Sequence, residues 1–207
     1  MKNSTKKHWE TVYETKNPEQ VSWTQENPKT SLNLIHSFNL SKSVKIIDIG
    51  GGDSKFVDFL IEEGFENITV LDISQKAIEK AQLRLGENAK KVNWIVSDIN
   101  QFEPTTQYDV WHDRAAFHFL TNELDINKYV KTVEKSVSQH LIIGTFSEDG
   151  PKKCSGLEIK QYSEEAMTKL FQNEFEVVKC FIEDHTTPFD TTQNFIFCSF
   201  KRIHNKA

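Results

Sequence analysis

Beyond residue 43 the chain alternates between two hydrophobic periods. VKIIDIG (44–50) and ITVLDIS (68–74) are short runs rich in β-branched residues, each closing on an aspartate. Between them SKFVDFLIEEG carries the three-to-four-residue spacing of an amphipathic helix. Strand, helix, strand in that order predicts a βαβ unit with parallel strands. The pattern then repeats. Ser74 is placed to cap QKAIEKAQLRLG, which Gly86 stops, and VNWIVSDI, YDVWH and HLIIGTF predict a third, fourth and fifth strand. DINKYVKTVEKSV and SEEAMTKLF predict further helices, the second capped by Ser163.

The end of the chain breaks the alternation. FEVVKCFIEDH and TQNFIFCSFKR are two strands joined by a short turn around TTPFD, and so short a link forces antiparallel pairing. The predicted fold class is therefore a three-layer, doubly wound α/β structure: a mostly parallel seven-stranded sheet with an antiparallel C-terminal hairpin and helices on both faces. A hairpin centred near Phe189 sets Cys180 opposite Cys198, read here as two small buried hydrophobes with reduced thiols. Before the first strand lie an amphipathic helix over 6–15, a loop NPEQVSWTQENP and a second helix over 30–38. The expected organisation is one domain, 1–207, with a helical lid segment (1–41) before a core (42–207).

Composition changes this picture little. With 207 residues, 37% hydrophobic and 27% charged, a single packed domain is expected. The net charge of -5 argues against phosphate backbones, so no nucleic-acid partner is expected. The first residues lack the apolar core of a signal peptide and no later run reaches the length of a membrane span, so no membrane association and a cytoplasmic location are expected. The three cysteines have none of the close spacings of zinc or redox motifs.

In doubly wound sheets ligands bind beyond the carboxyl ends of the strands, where the first glycine-rich turn enters a helix. Here that turn is DIGGGDSKF. A dinucleotide fingerprint needs G-x-G-x-x-G; Gly50 and Gly52 fit, but Lys55 stands in the third position. Asp48 and Asp53 flank the glycines and would repel a pyrophosphate. A ligand with a cationic amine, a sulfonium and no phosphate suits that field, which points to S-adenosyl-L-methionine. Asp72, closing the second strand 22 residues after Gly50, is placed to accept the ribose hydroxyl protons. Asp98, after the third strand, is placed for the adenine amino group, with the Ile99 N–H toward a ring nitrogen.

The segments DIGGGDS, VLDIS, SDI and YDVWHDR together resemble the class I, seven-stranded S-adenosylmethionine-dependent methyltransferases over roughly 42–202. The resemblance implies that Asp48, Gly50, Gly51 and Gly52 hold the methionine end, Asp72 and Ile73 the ribose, and Asp98 and Ile99 the adenine. The family turn often has a glycine where this chain has Ser54. VSWTQENP is similar to a segment that borders the cofactor in small-molecule methyltransferases, which makes Trp23 a lid and cofactor-side candidate.

With YDVWH as the fourth strand, HDRAAFHFL begins at its carboxyl end, where the family places its substrate-facing motif. His112 and His118 lack the spacing that would put two metal ligands on one helix face, so no metal is expected. No G-x-S-x-G elbow supports a nucleophilic triad. Asp113 reads as a helix cap, Phe117 and Phe119 as partly packed, and His118 as a polar wall residue. His112, able to remove a proton from a nucleophile, and Arg114, able to anchor a carboxylate or stabilise a thiolate, are the catalytic candidates. Cys154 reads either as a wall of the substrate pocket or as an inert loop residue.

The resulting expectation is methyl transfer to a small molecule by in-line displacement. The alternatives are a protein (lysine or N-terminal) methyltransferase and a non-catalytic S-adenosylmethionine-binding module. An NAD-dependent oxidoreductase is disfavoured by Asp53 and Lys55.

Overall fold

A computed structural model describes residues 2–203. Strands β1 (Lys45–Ile49), β2 (Asn67–Asp72), β3 (Val92–Val96), β4 (Tyr108–Arg114), β5 (Val137–Phe146), β6 (Phe175–Thr186) and β7 (Thr192–Arg202) build one sheet in the order β3-β2-β1-β4-β5-β7-β6. The first five are parallel; β7 runs antiparallel to β5, and β6 to β7. The chain direction across the sheet reverses at β1, which has β2 on one side and β4 on the other. Such a switch point opens a crevice at the carboxyl ends of the strands.

The inner strands β1, β2, β4 and β5 are buried on both faces, and their period-two alternation sorts side chains into two cores. Ile46, Val70, Val110 and Ile142 face a core shared with Leu32 and Ile35 of α2 (Lys29–Ser37) and with Phe56 and Leu60 of α3 (Phe56–Glu62). Ile47, Leu71, Trp111 and Ile143 face the other core, with Tyr129 and Val133 of α5 (Glu123–Ser136) and Met167 and Phe171 of α6 (Glu164–Phe171). Helix starts follow local chemistry. Ser74 Oγ accepts from the Ala77 N–H at the head of α4 (Gln75–Leu85), and Asn122 and Ser163 cap α5 and α6 in the same way. The first helix, α1 (Lys2–Thr15), starts four residues earlier than its periodicity predicts.

Two differences from the sequence reading matter. The fourth strand continues past YDVWH through Asp113 and Arg114, because Arg114 still pairs with Gly144 of β5. Strand register, not a loop, therefore orients Arg114. The second difference is a correction: Cys180 and Cys198 form a disulfide instead of remaining reduced thiols. They are register partners on β6 and β7 with Cα atoms 4.2 Å apart, the close approach of facing residues on antiparallel strands, and this brings the two sulfurs together. Among the described residues no helix is long and apolar enough to cross a membrane.

Candidate functional site

β1 ends in the turn Gly50-Gly51-Gly52, and the absence of side chains there is a spatial requirement. A Cβ on Gly51 would lie 2.4 Å from Asp48 Oδ2, and one on Gly52 would lie 2.7 Å from Asp72 Oδ2 while the backbone holds a φ of +38°. The turn thus lets two carboxylates stand against bare backbone. Ser54, in place of a further glycine, accepts from the Phe56 N–H at 3.1 Å and so helps start α3. Asp53 is a correction to the charge argument above. It borders the larger cavity but is ion-paired with Arg84 of α4, which also binds Asp58 and donates to the Asp53 and Ser54 carbonyls, so its charge is neutralised by a neighbouring guanidinium.

Asp48 is buried and faces His112 across the β1–β4 register. His112 Nδ1 lies 2.6 Å from Asp48 Oδ1, and its Nε2 lies 2.8 Å from Ser31 Oγ on α2. The Phe56 ring lies against the imidazole at 4.2 Å. Both ring nitrogens are occupied, which orients the imidazole, and through it the carboxylate.

Asp72, at the end of β2, accepts from the Ser74 N–H at 2.7 Å. Burial pushes its carboxyl up to about 7; the Ser74 N–H opposes that rise, and the nearby Asp48 and Glu10 charges add to it. Asp98 accepts from the Asn100 N–H at 2.9 Å, capping a short 3-10 turn after β3. Glu10, from α1, reaches the N-terminus of α4, accepting from Ser74 Oγ at 2.8 Å, Gln75 N at 3.0 Å and Lys76 N at 2.9 Å. Trp9, Tyr13, Trp23 and Phe119 then close an aromatic cluster over the carboxyl edge, with Trp9 5.6 Å from Trp23 and 5.1 Å from Phe119.

Two adjoining cavities open beneath that cluster. One, of about 420 Å³, is bordered by Asp72, Ile73, Asp98 and Ile99; the other, of about 630 Å³, by Asp48, Gly51, Ser31 and His112. Tyr13, Trp23, Gly50 and Arg114 border both. The eleven candidate residues of the sequence reading therefore converge on one region. Gly52 supports it from behind, packed against Asp72, without lining either space.

The opening stretch of the fourth-strand motif divides. Asp113 caps as expected, accepting from Ala116 N at 3.1 Å and Phe117 N at 3.0 Å, and it also accepts from the Tyr129 hydroxyl at 2.8 Å. Burial pushes its carboxyl up to about 6. His118 is not a wall residue: it is fully buried, stacked on Phe146 at 4.4 Å, and burial pushes its pKa down to about 3. Phe117 is likewise core and not partly packed. Cys154 lines the smaller cavity, and burial pushes its thiol up to about 11. Arg114 donates from Nη1 to the Trp23 carbonyl at 3.0 Å, and burial pushes its pKa down to about 10. Glu10, Ser31 and Arg84 are site-building residues that the sequence reading did not single out. Their partners are 20 or more residues away, so no local pattern marks them.

The fold and the three strand-end acids define a doubly wound α/β protein with a nucleoside-type cofactor crevice. Residues 46–139 match a family model described as a methyltransferase domain. Over 190 residues the chain is 22% identical to EEF1A lysine methyltransferase 2 of Danio rerio, an alignment that covers 86% of this chain and 78% of that one. Over 94 residues it is 33% identical to a ubiquinone biosynthesis O-methyltransferase of Rickettsia bellii, covering 45% of this chain and 36% of that one. Its fold superposes on the N-methyltransferase NodS of Bradyrhizobium japonicum WM9, solved with S-adenosyl-L-homocysteine, with a TM-score of 0.65 at 17% identity over 87% of this chain and 90% of that one. Residues 46–139 thus form a methyltransferase domain, carried on the seven-stranded fold of the class I S-adenosylmethionine-dependent enzymes, whose cofactor is S-adenosyl-L-methionine.

Proposed function

We propose that the protein methylates a small-molecule acceptor, that it does so as one domain, and that residues 1–41 are its lid. The observation that carries this reading is the space beneath Trp23. The larger cavity, about 630 Å³, falls within the roughly 300–1,000 Å³ range of small-ligand sites and abuts the one lined by the ribose and adenine candidates.

The residues fit the cofactor. Asp48, held by His112, accepts from the cationic amine beside the Gly50-Gly51-Gly52 turn. Asp72, desolvated and with one oxygen outside its bond to Ser74, accepts from the ribose hydroxyls; Ile73 packs the same end. Asp98 and the Ile99 N–H take the adenine edge, and Trp23 covers the junction of the two cavities. S-adenosyl-L-methionine, when bound, supplies an electrophilic methyl group on a sulfonium. The chain's own task is alignment and exclusion of water, which α1 and the Trp9–Tyr13–Trp23 cluster perform by covering the strand ends. His112 acts through Asp48, and Arg114 faces the acceptor.

The zebrafish relative supports a second reading, a lysine side chain of a protein as acceptor. Calorimetric titration with S-adenosyl-L-homocysteine, with NADH in parallel, tests the cofactor assignment; saturable binding of the former alone is expected. Release of S-adenosyl-L-homocysteine is then compared between a panel of small thiols, amines and acids and purified EEF1A. Turnover of EEF1A with none of the panel would replace the small-molecule reading by the protein one.

A further inference from the structure

Among the described cations around the larger cavity, Arg114 is set apart by a buried nitrogen without a partner. Arg84 is ion-paired with Asp53 and Asp58, and Lys55 with Glu26. Lys80 donates to the Lys16 carbonyl at 2.8 Å. Arg114 enters none of the ion pairs among the described residues; Glu183 and Asp48 act on it only at longer range. Among the described residues its side chain's one hydrogen bond goes to the neutral Trp23 carbonyl and its buried Nε has no partner, while the Phe195 ring lies 5.1 Å from the guanidinium carbon. A guanidinium has five N–H donors in a planar fork, and leaving the buried Nε–H unpaired is costly. The matching partner is a planar anion.

Position separates this anion from the nucleoside end. The three acids lie at the ends of β1, β2 and β3, whereas Arg114 sits at the end of β4, registered with Gly144 of β5 and packed on Phe195 of β7. It therefore lies on the opposite side of the switch point from Asp72 and Asp98. A cationic amine brought to the same place would meet a like charge in a partly desolvated setting.

We infer that the methyl acceptor carries a carboxylate, held by the Arg114 guanidinium at the junction of the two cavities. The inference rests on the methyltransferase reading and narrows it to acidic small molecules, with the methyl-accepting atom elsewhere on the same compound. One competing source of the anion is the cofactor's own carboxylate.

The test titrates protein saturated with S-adenosyl-L-homocysteine with matched pairs of probes: 3-mercaptopropionate against 3-mercaptopropanamide, and 4-hydroxybenzoate against 4-hydroxybenzamide. At least one acid is expected to bind about tenfold or more tightly than its amide, a charge-assisted preference. Arg114→Gln should erase that preference while changing S-adenosyl-L-homocysteine affinity by less than about threefold. Arg114→Lys, which keeps the charge but not the fork, should retain part of it and serves if the glutamine variant does not fold. Acids and amides bound alike, or no acid bound, would overturn the inference alone. Loss of S-adenosyl-L-homocysteine binding in a folded Arg114 variant would also overturn it, assigning the arginine to the cofactor's carboxylate. Wild-type protein that fails to bind S-adenosyl-L-homocysteine would overturn the methyltransferase reading and this inference with it.

Discussion

His112 and Asp48 are register partners on adjacent parallel strands, and their side chains meet at 2.6 Å on the face that α2 covers. The pair is buried, and Ser31 holds the far nitrogen of the ring. A buried carboxylate whose one side-chain partner among the described residues is an imidazole depends on that imidazole for its orientation.

His112→Phe keeps the ring volume while leaving Asp48 and Ser31 unpartnered, a loss that costs about 1–3 kcal/mol of stability. S-adenosyl-L-homocysteine affinity should fall by about tenfold, and turnover at saturating cofactor should be largely kept. Calorimetry and steady-state kinetics read the two separately. Unchanged affinity with lost turnover would instead put His112 in contact with the acceptor.

Asp72 links cofactor binding to pH. Burial raises its carboxyl from 3.8 to about 7, so the unliganded protein binds a proton that the unfolded chain has lost. The stability this gives is present below the unfolded value and fades as pH rises through about 7. Ribose hydroxyls donate to the charged form, so binding has the opposite preference. S-adenosyl-L-homocysteine affinity should climb by up to about tenfold between about pH 6 and about pH 8, with proton release. Asp72→Asn should flatten that slope, weaken binding by about 1.5–3 kcal/mol and raise the unliganded protein's Tm at alkaline pH. A slope that survives the substitution would move the titration to another group.

The core of this architecture is legible because its signals are local. Alternating β-branched runs, the capping serines Ser74 and Ser163 and the glycine turn each act over a few residues, and each lies in the structure where its pattern placed it. What escapes is tertiary. Ser31 is an ordinary helix residue until α2 brings it to His112, and Arg84 looks like a surface charge until α4 lays it over the glycine turn. Asp53 was misread for the same reason: its charge was counted without the arginine that cancels it. The predicted fourth strand stops at His112 because the apolar run does, whereas the strand pairing continues to Arg114.

Glu10 ties α1, part of the proposed lid, to the start of α4. It places a carboxylate on the N-terminus of α4, where it meets a hydroxyl and two backbone N–H groups. Burial tends to raise its pKa, but the Lys76 N–H, the Ser74 hydroxyl and the Gln75 N–H outweigh that and lower it. The clamp is accordingly present above the ordinary carboxylate pKa and lost as pH falls through the lowered one. Glu10→Ala should cost up to about 1 kcal/mol of stability and hasten proteolysis within 17–28, while the core stays folded. Limited proteolysis followed by mass spectrometry measures the difference. Bound S-adenosyl-L-homocysteine should suppress it, and cleavage indifferent to the substitution would free α1 from this contact.

The Cys180–Cys198 bond closes the β6–β7 hairpin at a sequence separation of 18, while Cys154 stays a buried thiol. Protein unfolded without reductant should therefore react with one equivalent of thiol reagent, rising to three after reduction, since the chain has three cysteines. A cross-link over a loop of this length stabilises by about 2–4 kcal/mol, chiefly by restricting the unfolded chain. Reduction should lower the denaturation midpoint accordingly, and Cys180→Ser should lower it without further response to reductant. The bond ties β6 to β7, and Phe195 of β7 carries the contact with Arg114. S-adenosyl-L-homocysteine affinity, which depends on the ends of β1 to β3, should be unaffected by reduction. Three reactive thiols before reduction would return the pair to two facing hydrophobes in a sheet that needs no cross-link.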